Sequence, residues 1–167
     1  MSAPHGGTLV NRIVEGKERD TLVAKAGGLP AIAVDPWALS DIEMIAIGGF
    51  SPLEGFLGKA DYESVVHKRR LANGLVWTIP VTLAVDAKTA DGLQTGSDVA
   101  LTNNGQVVAI LHLQERYEPD KALSFTGQTP GNGQKVLHGL GRHKTTVGEI
   151  AVKTQADADT TCEPVKE

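Results

Sequence analysis

Cysteine occurs once in the 167 residues, at Cys162, so no internal disulfide can form. There is no CxxC and no Cys/His grouping with zinc spacing. Aromatic residues make up only 4% of the chain, which leaves the core to aliphatic side chains and provides little surface for stacking nucleic-acid bases. No apolar run approaches the length of a membrane span. The opening Met1-Ser2-Ala3-Pro4-His5-Gly6-Gly7 lacks both the charged start and the apolar centre of a secretory signal. Positive charge is not in excess either: the net charge of −4 works against nucleic acid and anionic membranes as partners. These absences leave a cytoplasmic globular protein, of a length suited to one domain with or without a tail. A chain of this size buries about two thirds of its surface and needs no metal or disulfide to fold.

Several segments carry readable local signals. Pro4 to Gly7 is a loop. Val14 to Ala26 is compatible with a short helix ended by Gly27-Gly28. Ala31 to Val34 reads as a buried strand stopped at Pro36. Ser40-Asp41-Ile42-Glu43 matches a capping box, which predicts a helix through Ile42, Ile45 and Ala46 up to Gly48-Gly49. Phe50 to Gly58 reads as a loop, and Asp61 as the cap of a further helix bearing Tyr62, Val65, Val66 and Arg69, closed by Asn73-Gly74. Leu75, Trp77, Ile79, Val81, Leu83 and Val85 alternate with their neighbours at the period of a half-buried strand. Pro80 within it predicts an edge or a bulge. Val99 to Thr102 and Gln106 to Leu113 flank Asn104-Gly105, a strong hairpin signal. Early helices and late hairpins predict an α+β fold around a small, mostly antiparallel sheet or barrel.

Beyond Glu118 the composition changes. Ser124 to Gly133 is rich in Gly, Gln, Thr and Pro, and Thr154 to Glu167 holds almost nothing that could build a core. Two domains of unequal character follow: residues 1–121 folded, and 122–167 a divergent, poorly ordered tail. Within that tail only Val136-Leu137 and Val147 to Val152 could form short elements.

The chemistry-bearing residues assemble no complete active site. Gly16-Lys17-Glu18, Gly58-Lys59-Ala60 and Gly131-Asn132-Gly133-Gln134-Lys135 all fail the spacing of a phosphate-binding loop and read as turns. His138 and His143 lack the further ligands of a metal site. His67 adjoins Lys68, Arg69 and Arg70, a run better explained by the affinity of cations for a helix C-terminus than by phosphate binding. His112 alternates with Leu111 and Leu113 along a strand, and His5 sits in the first loop. Asp61 and Glu63, two apart, do not share a helix face. No serine sits in a GxSxG elbow.

Taken in order, however, the segments resemble one family. Pro4 to Asn11, Ser40 to Leu57, Asp61 to Val66, and Arg70 to Leu83, followed by the Asn104-Gly105 hairpin, are similar to the amino-terminal domain of ATP sulfurylases (sulfate adenylyltransferases). The most recognisable stretch contains Gly49, Phe50, Ser51, Pro52, Leu53, Gly55 and Phe56, expected to serve structure or an interdomain contact. The likeness runs from about Pro4 to Lys121. It implies a PUA-like fold, a small β-barrel with attached helices. In that family this domain packs on an α/β domain that joins ATP and sulfate to give adenosine 5′-phosphosulfate and pyrophosphate, the nucleotidyl transfer of sulfate assimilation. The catalytic motifs belong to the second domain: Gln-x-Arg-Asn-Pro-x-His, and Gly-Arg-Asp-His-Ala-Gly. Neither occurs here, and Gly141-Arg142-His143-Lys144 shares only Gly-Arg with the second. The resemblance therefore implies no catalytic, cofactor or metal residue in this chain, with Mg-ATP required only by the complete enzyme. The departure near Ala122 to Thr126 is expected to mark truncation, by frameshift. The expected function is a detached domain, inert alone, with a separate sulfurylase catalytic domain or subunit as its partner. The competing readings are an RNA-binding PUA-like module, with His67 to Arg70 as its local support, and a complete small enzyme whose site is not legible.

Overall fold

A computed structural model describes residues 3–119 and the backbone of 134–140. In chain order it contains α1 (Gly16–Ala26), β1 (Ala31–Ala33), α2 (Pro36–Ala46), β2 (Gly55–Phe56) and α3 (Lys59–Lys68), then β3 (Leu83–Asp86), α4 (Ala87–Asp91), β4 (Asp98–Asn103), β5 (Gln106–Tyr117) and β6 (Gln134–Leu140). The strands form one six-stranded sheet in the order β1-β4-β5-β6-β2, with β3 also paired to β6. All pairings are antiparallel except β1 with β4. The α+β class and the mostly antiparallel sheet are as the sequence predicts.

The hairpin forms where Asn104-Gly105 places it, with both residues at positive φ (49° and 78°), the pairing that matches strand twist. β4 and β5 carry the centre of the core. Val99, Leu101, Leu111 and Leu113 are completely enclosed, together with Val65 of α3 and Leu83 of β3. An aliphatic core is what the scarcity of aromatics requires. Ala100 and Ile110 point the other way and pack with Ala26 under α1, so this part of the sheet is covered on both faces. At the edge of that layer Asp98 accepts a hydrogen bond from Lys25 Nζ (2.6 Å) and pairs with His112 Nδ1 (2.8 Å). The Lys25 bond, seconded by His112, holds the Asp98 carboxyl below the usual carboxylate range.

Four local expectations are corrected. Helix α2 begins at Pro36, not after Ser40: Asp35 is its N-cap, accepting from Ala38 N at 2.7 Å, and proline suits the first helical position. The Ser40-to-Glu43 box therefore lies inside the helix. Asp61 does not cap α3. The cap position is Gly58, and Asp61 Oδ1 instead accepts from Ala72 N at 2.7 Å, tying the helix to the turn that follows it. The first N–H of α3 is met from the sheet, Lys59 N donating to Glu115 Oε2 at 3.1 Å. The alternating run from Leu75 becomes a strand only at Leu83. Residues 75–82 instead brace neighbouring loops, with Leu71 N donating to Leu75 O, Trp77 N to Arg69 O and Leu57 N to Val81 O, all at 2.9 Å. Finally, Gly55–Phe56 within the expected loop forms β2, and Asp86 caps a short α4 that no periodicity announced.

Within 122–167 the backbone of Gln134–Leu140 forms β6, which includes Val136-Leu137. The Val147 to Val152 segment, Cys162, His143, Gly141 and the glycines of 131–133 lie outside the described residues.

Candidate functional site

The stretch containing the family-like glycines is a structural knot. After α2, Ile47 closes the helix and Gly48 takes φ +80°, a conformation that disfavours side chains. A Cβ there would also stand 2.6 Å from Val10 O and 2.7 Å from Leu9 Cδ1, so only glycine lets the N-terminal segment approach. Ser51, 4% exposed, donates its hydroxyl to Gly48 O at 2.6 Å and accepts from Val10 N at 3.0 Å. Arg12 N donates to Ala46 O, and the Arg12 guanidinium pairs with Glu54 at 2.5 Å. Leu53 and Phe56 are buried in the main core, and Gly55 and Phe56 pair with Leu140 and Gly139 of β6. Gly49 is exposed beside Met44, and Pro52 packs near Gly6. Of the seven residues singled out there, Phe50 lines the cavity described next.

That cavity, about 430 Å³, is the candidate site. Its walls are α2, through Asp41, the N-terminal loop, through His5, and the brace Val76 to Val81. Phe50 meets the Trp77 ring nearly edge-on, at 88° and 5.9 Å between centroids, and the His5 ring lies 6.1 Å from Trp77 at 37°. His5 is itself anchored, its Nε2 2.8 Å from Val76 O. The polar centre is Asp41. Burial, followed by the nearby Asp35 carboxylate, raises the Asp41 pKa to about 6. The cavity therefore presents a half-buried carboxyl between aromatic and aliphatic walls, with His5 also in its lining and no lysine or arginine lining it among the described residues.

Apolar surface continues beyond the rim. Val76 is 49% and Ile79 51% exposed. Trp37, one turn before Asp41 on α2 and hence on the same helix face, is 76% exposed. The sequence assigns Ile79 to the buried set of an alternating strand, and its exposure follows from the absence of a strand there.

The remaining candidates are dispersed. His67 to Arg70 are exposed at the end of α3, where Arg69 is the left-handed C-cap (φ 56°) and Arg70 Nη1 donates to Gly74 O at 3.0 Å. His112 is bound to Asp98 on the far side of the sheet layer. Among the described residues no group of three or more His, Cys, Asp or Glu could hold a metal ion. Among the same residues no helix is long and apolar enough to cross a membrane. Sequence reasoning missed that His5 and Asp41 line one cavity, having placed one in a loop and the other in a cap. Asp41 and Glu43 both stand at the start of the apolar run, so the sequence carried no signal that set Asp41 apart.

Comparison with known proteins matches residues 2–132 to the family model described as "PUA-like domain". The chain is 53% identical over 120 residues to the sulfate adenylyltransferase of Acaryochloris marina, covering 71% of this chain and 31% of that one. It is 48% identical over 143 residues to that of Trichodesmium erythraeum, covering 82% and 37%. Among solved structures it is similar to the hexameric APS kinase from Thiobacillus denitrificans, with a TM-score of 0.70 and 28% identity over 86% of this chain and 27% of the other. The sulfate adenylyltransferase likeness expected from the sequence is therefore found. The chain spans about a third of the length of the curated relatives it matches.

Proposed function

This chain belongs to the PUA-like domain family, and we propose that it acts as the accessory, amino-terminal domain of a sulfate adenylyltransferase, docking on a separate or continuing α/β domain that carries out adenylyl transfer. The reaction of the assembled protein would join ATP, as its magnesium complex, to sulfate, releasing pyrophosphate. The cytoplasmic setting expected from the sequence belongs to the same reading. One observation carries the docking role: Trp37, Val76 and Ile79, three of the six large apolar side chains exposed among the described residues, stand around the cleft that Phe50 and Trp77 line. Contiguous apolar surface of that kind is costly in water unless a partner covers it. Adenylyl transfer needs cations and donors organised around phosphates, and the cleft lining contributes none beyond His5.

Two measurements test this. Residues 4–119 of this chain would replace the matched segment in the Acaryochloris marina enzyme, and pyrophosphate release would be followed with Mg-ATP and sulfate. Turnover within about tenfold of the parent is expected, since the exchanged segments are 53% identical over 120 residues and rigid-body docking is a fair default. A folded but inactive chimera would remove the proposal. The full chain alone is expected to show no turnover above a denatured control; activity there would establish a complete enzyme instead.

A further inference from the structure

We propose that the cleft between α2 and residues 76–81 is a receptor for an arginine side chain of the docking partner, the guanidinium pairing with Asp41 and the stem lying against Trp77 and Ile79. The inference rests on the docking role proposed above and adds the chemistry that the partner must bring.

Three features of the cleft converge on this ligand. The first is the state of Asp41. A carboxylate withdrawn from water is normally compensated by a cation or by hydrogen-bond donors. The neighbours that bear on Asp41 do the opposite: burial and the Asp35 carboxylate both disfavour its charge. Among the described residues no lysine or arginine lines the cavity, and the His5 Nε2 is already held at Val76 O. The site therefore has negative potential with its positive complement missing. The second feature is the wall. Phe50 and His5 both pack on the Trp77 ring, which holds an indole at the cavity. Aromatic rings attract cations, and the flat guanidinium stacks on them more readily than an ammonium does. The third is the rim, where exposed Val76 and Ile79 suit the methylene stem of a long side chain. A lysine would satisfy the charge but not the planar wall, and an apolar residue would leave Asp41 without a partner.

The probe is N-acetyl-arginine amide, added to the full chain carrying Trp37→Phe. Trp37 and Trp77 are the only two tryptophans, so the emission then reports Trp77 alone. At pH 8, above the Asp41 value of about 6, a saturable change in emission is expected in the millimolar range. The isosteric but uncharged N-acetyl-citrulline amide should bind at least tenfold more weakly, and Asp41→Asn should weaken the arginine probe by a similar factor. Asp41→Asn removes an uncompensated charge and is expected to fold, which its thermal transition would verify. No saturable response, an equal response to citrulline, or an unchanged response in Asp41→Asn would each overturn the inference. These readouts use the chain by itself, so they separate from the chimera test: an active chimera with an indifferent cleft leaves the docking role standing and removes only the arginine.

Discussion

Ser51 and Val10 are joined by a buried hydrogen bond, the backbone N–H of Val10 donating to the Ser51 hydroxyl at 3.0 Å across 41 positions of sequence. The same hydroxyl donates to Gly48 O, so one small side chain closes the end of α2 and fixes the N-terminal segment against it. Ser51→Ala leaves a backbone donor without its partner inside the protein. A loss of about 1–2 kcal/mol is expected in urea unfolding of the full chain.

Gly48 and Gly96 both have positive φ, near +80° and +86°, but differ in surroundings. A Cβ on Gly96 meets nothing within 4 Å, whereas on Gly48 it would meet the Val10 carbonyl at 2.6 Å. Gly96→Ala is expected to cost about 1 kcal/mol, the backbone strain alone. Gly48→Ala should cost about 3 kcal/mol, because backbone must also move. Equal costs in denaturant titration would refute the close approach.

Asp41 sets a pH dependence of definite sign. Its value is about 6 in the folded chain against 3.8 for an unperturbed aspartate, so the folded state holds the proton more tightly. The cost of the ionised form is present above about pH 6 and is relieved as pH falls toward 4. Screening of this partly exposed group reduces that cost to about 1 kcal/mol. Asp41→Asn should therefore stabilise the chain by about 1 kcal/mol at pH 7.5 and by about a third of that at pH 4.5. Thermal melts of both proteins at the two pH values measure the difference; a destabilised variant at pH 7.5 would contradict it.

Leu101 is fully enclosed at the centre of β4, opposite Ala109 on β5. Leu101→Ala should cost about 3 kcal/mol, the transfer term plus the cavity left behind. Ile79→Ser, at an exposed cleft rim, should change stability by less than about 0.5 kcal/mol. In the chimera with the Acaryochloris marina enzyme, the same Ile79→Ser is expected to weaken domain docking, read as earlier proteolytic separation of the two parts.

The local signals that held were those whose cause lies within a few residues. Asn104-Gly105 set the hairpin because the turn needs two positive φ angles and few residue pairs accept them. The helix ending at Ala26 stopped where Gly27 follows it. The ordered segments from Pro4 to Tyr117 were enough to indicate the family, since several motifs in fixed order carry information that no single one does. The signals that failed were those in which two local readings were both allowed. Ser40 could cap a helix, but Asp35 followed by Pro36 offered an earlier and equally good start. The alternation from Leu75 to Val85 had the period of a strand, yet Pro80 removes a ladder donor, and the Leu71, Arg69 and Leu57 loops took the available hydrogen bonds.

Sequence by itself thus determined the α+β class, the aliphatic core, the central hairpin and the likeness to sulfate adenylyltransferases. It did so through residue size, backbone permissiveness and ordered motifs, all of which are local or cumulative along the chain. Only the tertiary structure decided that His5, Asp41, Phe50 and Trp77 share one cleft, because they come from three separate segments brought together by packing. It alone decided, too, that Asp41 is partly withdrawn from water beside Asp35: the ionisation of a carboxyl group depends on the charges and solvent around it, which sequence position does not specify.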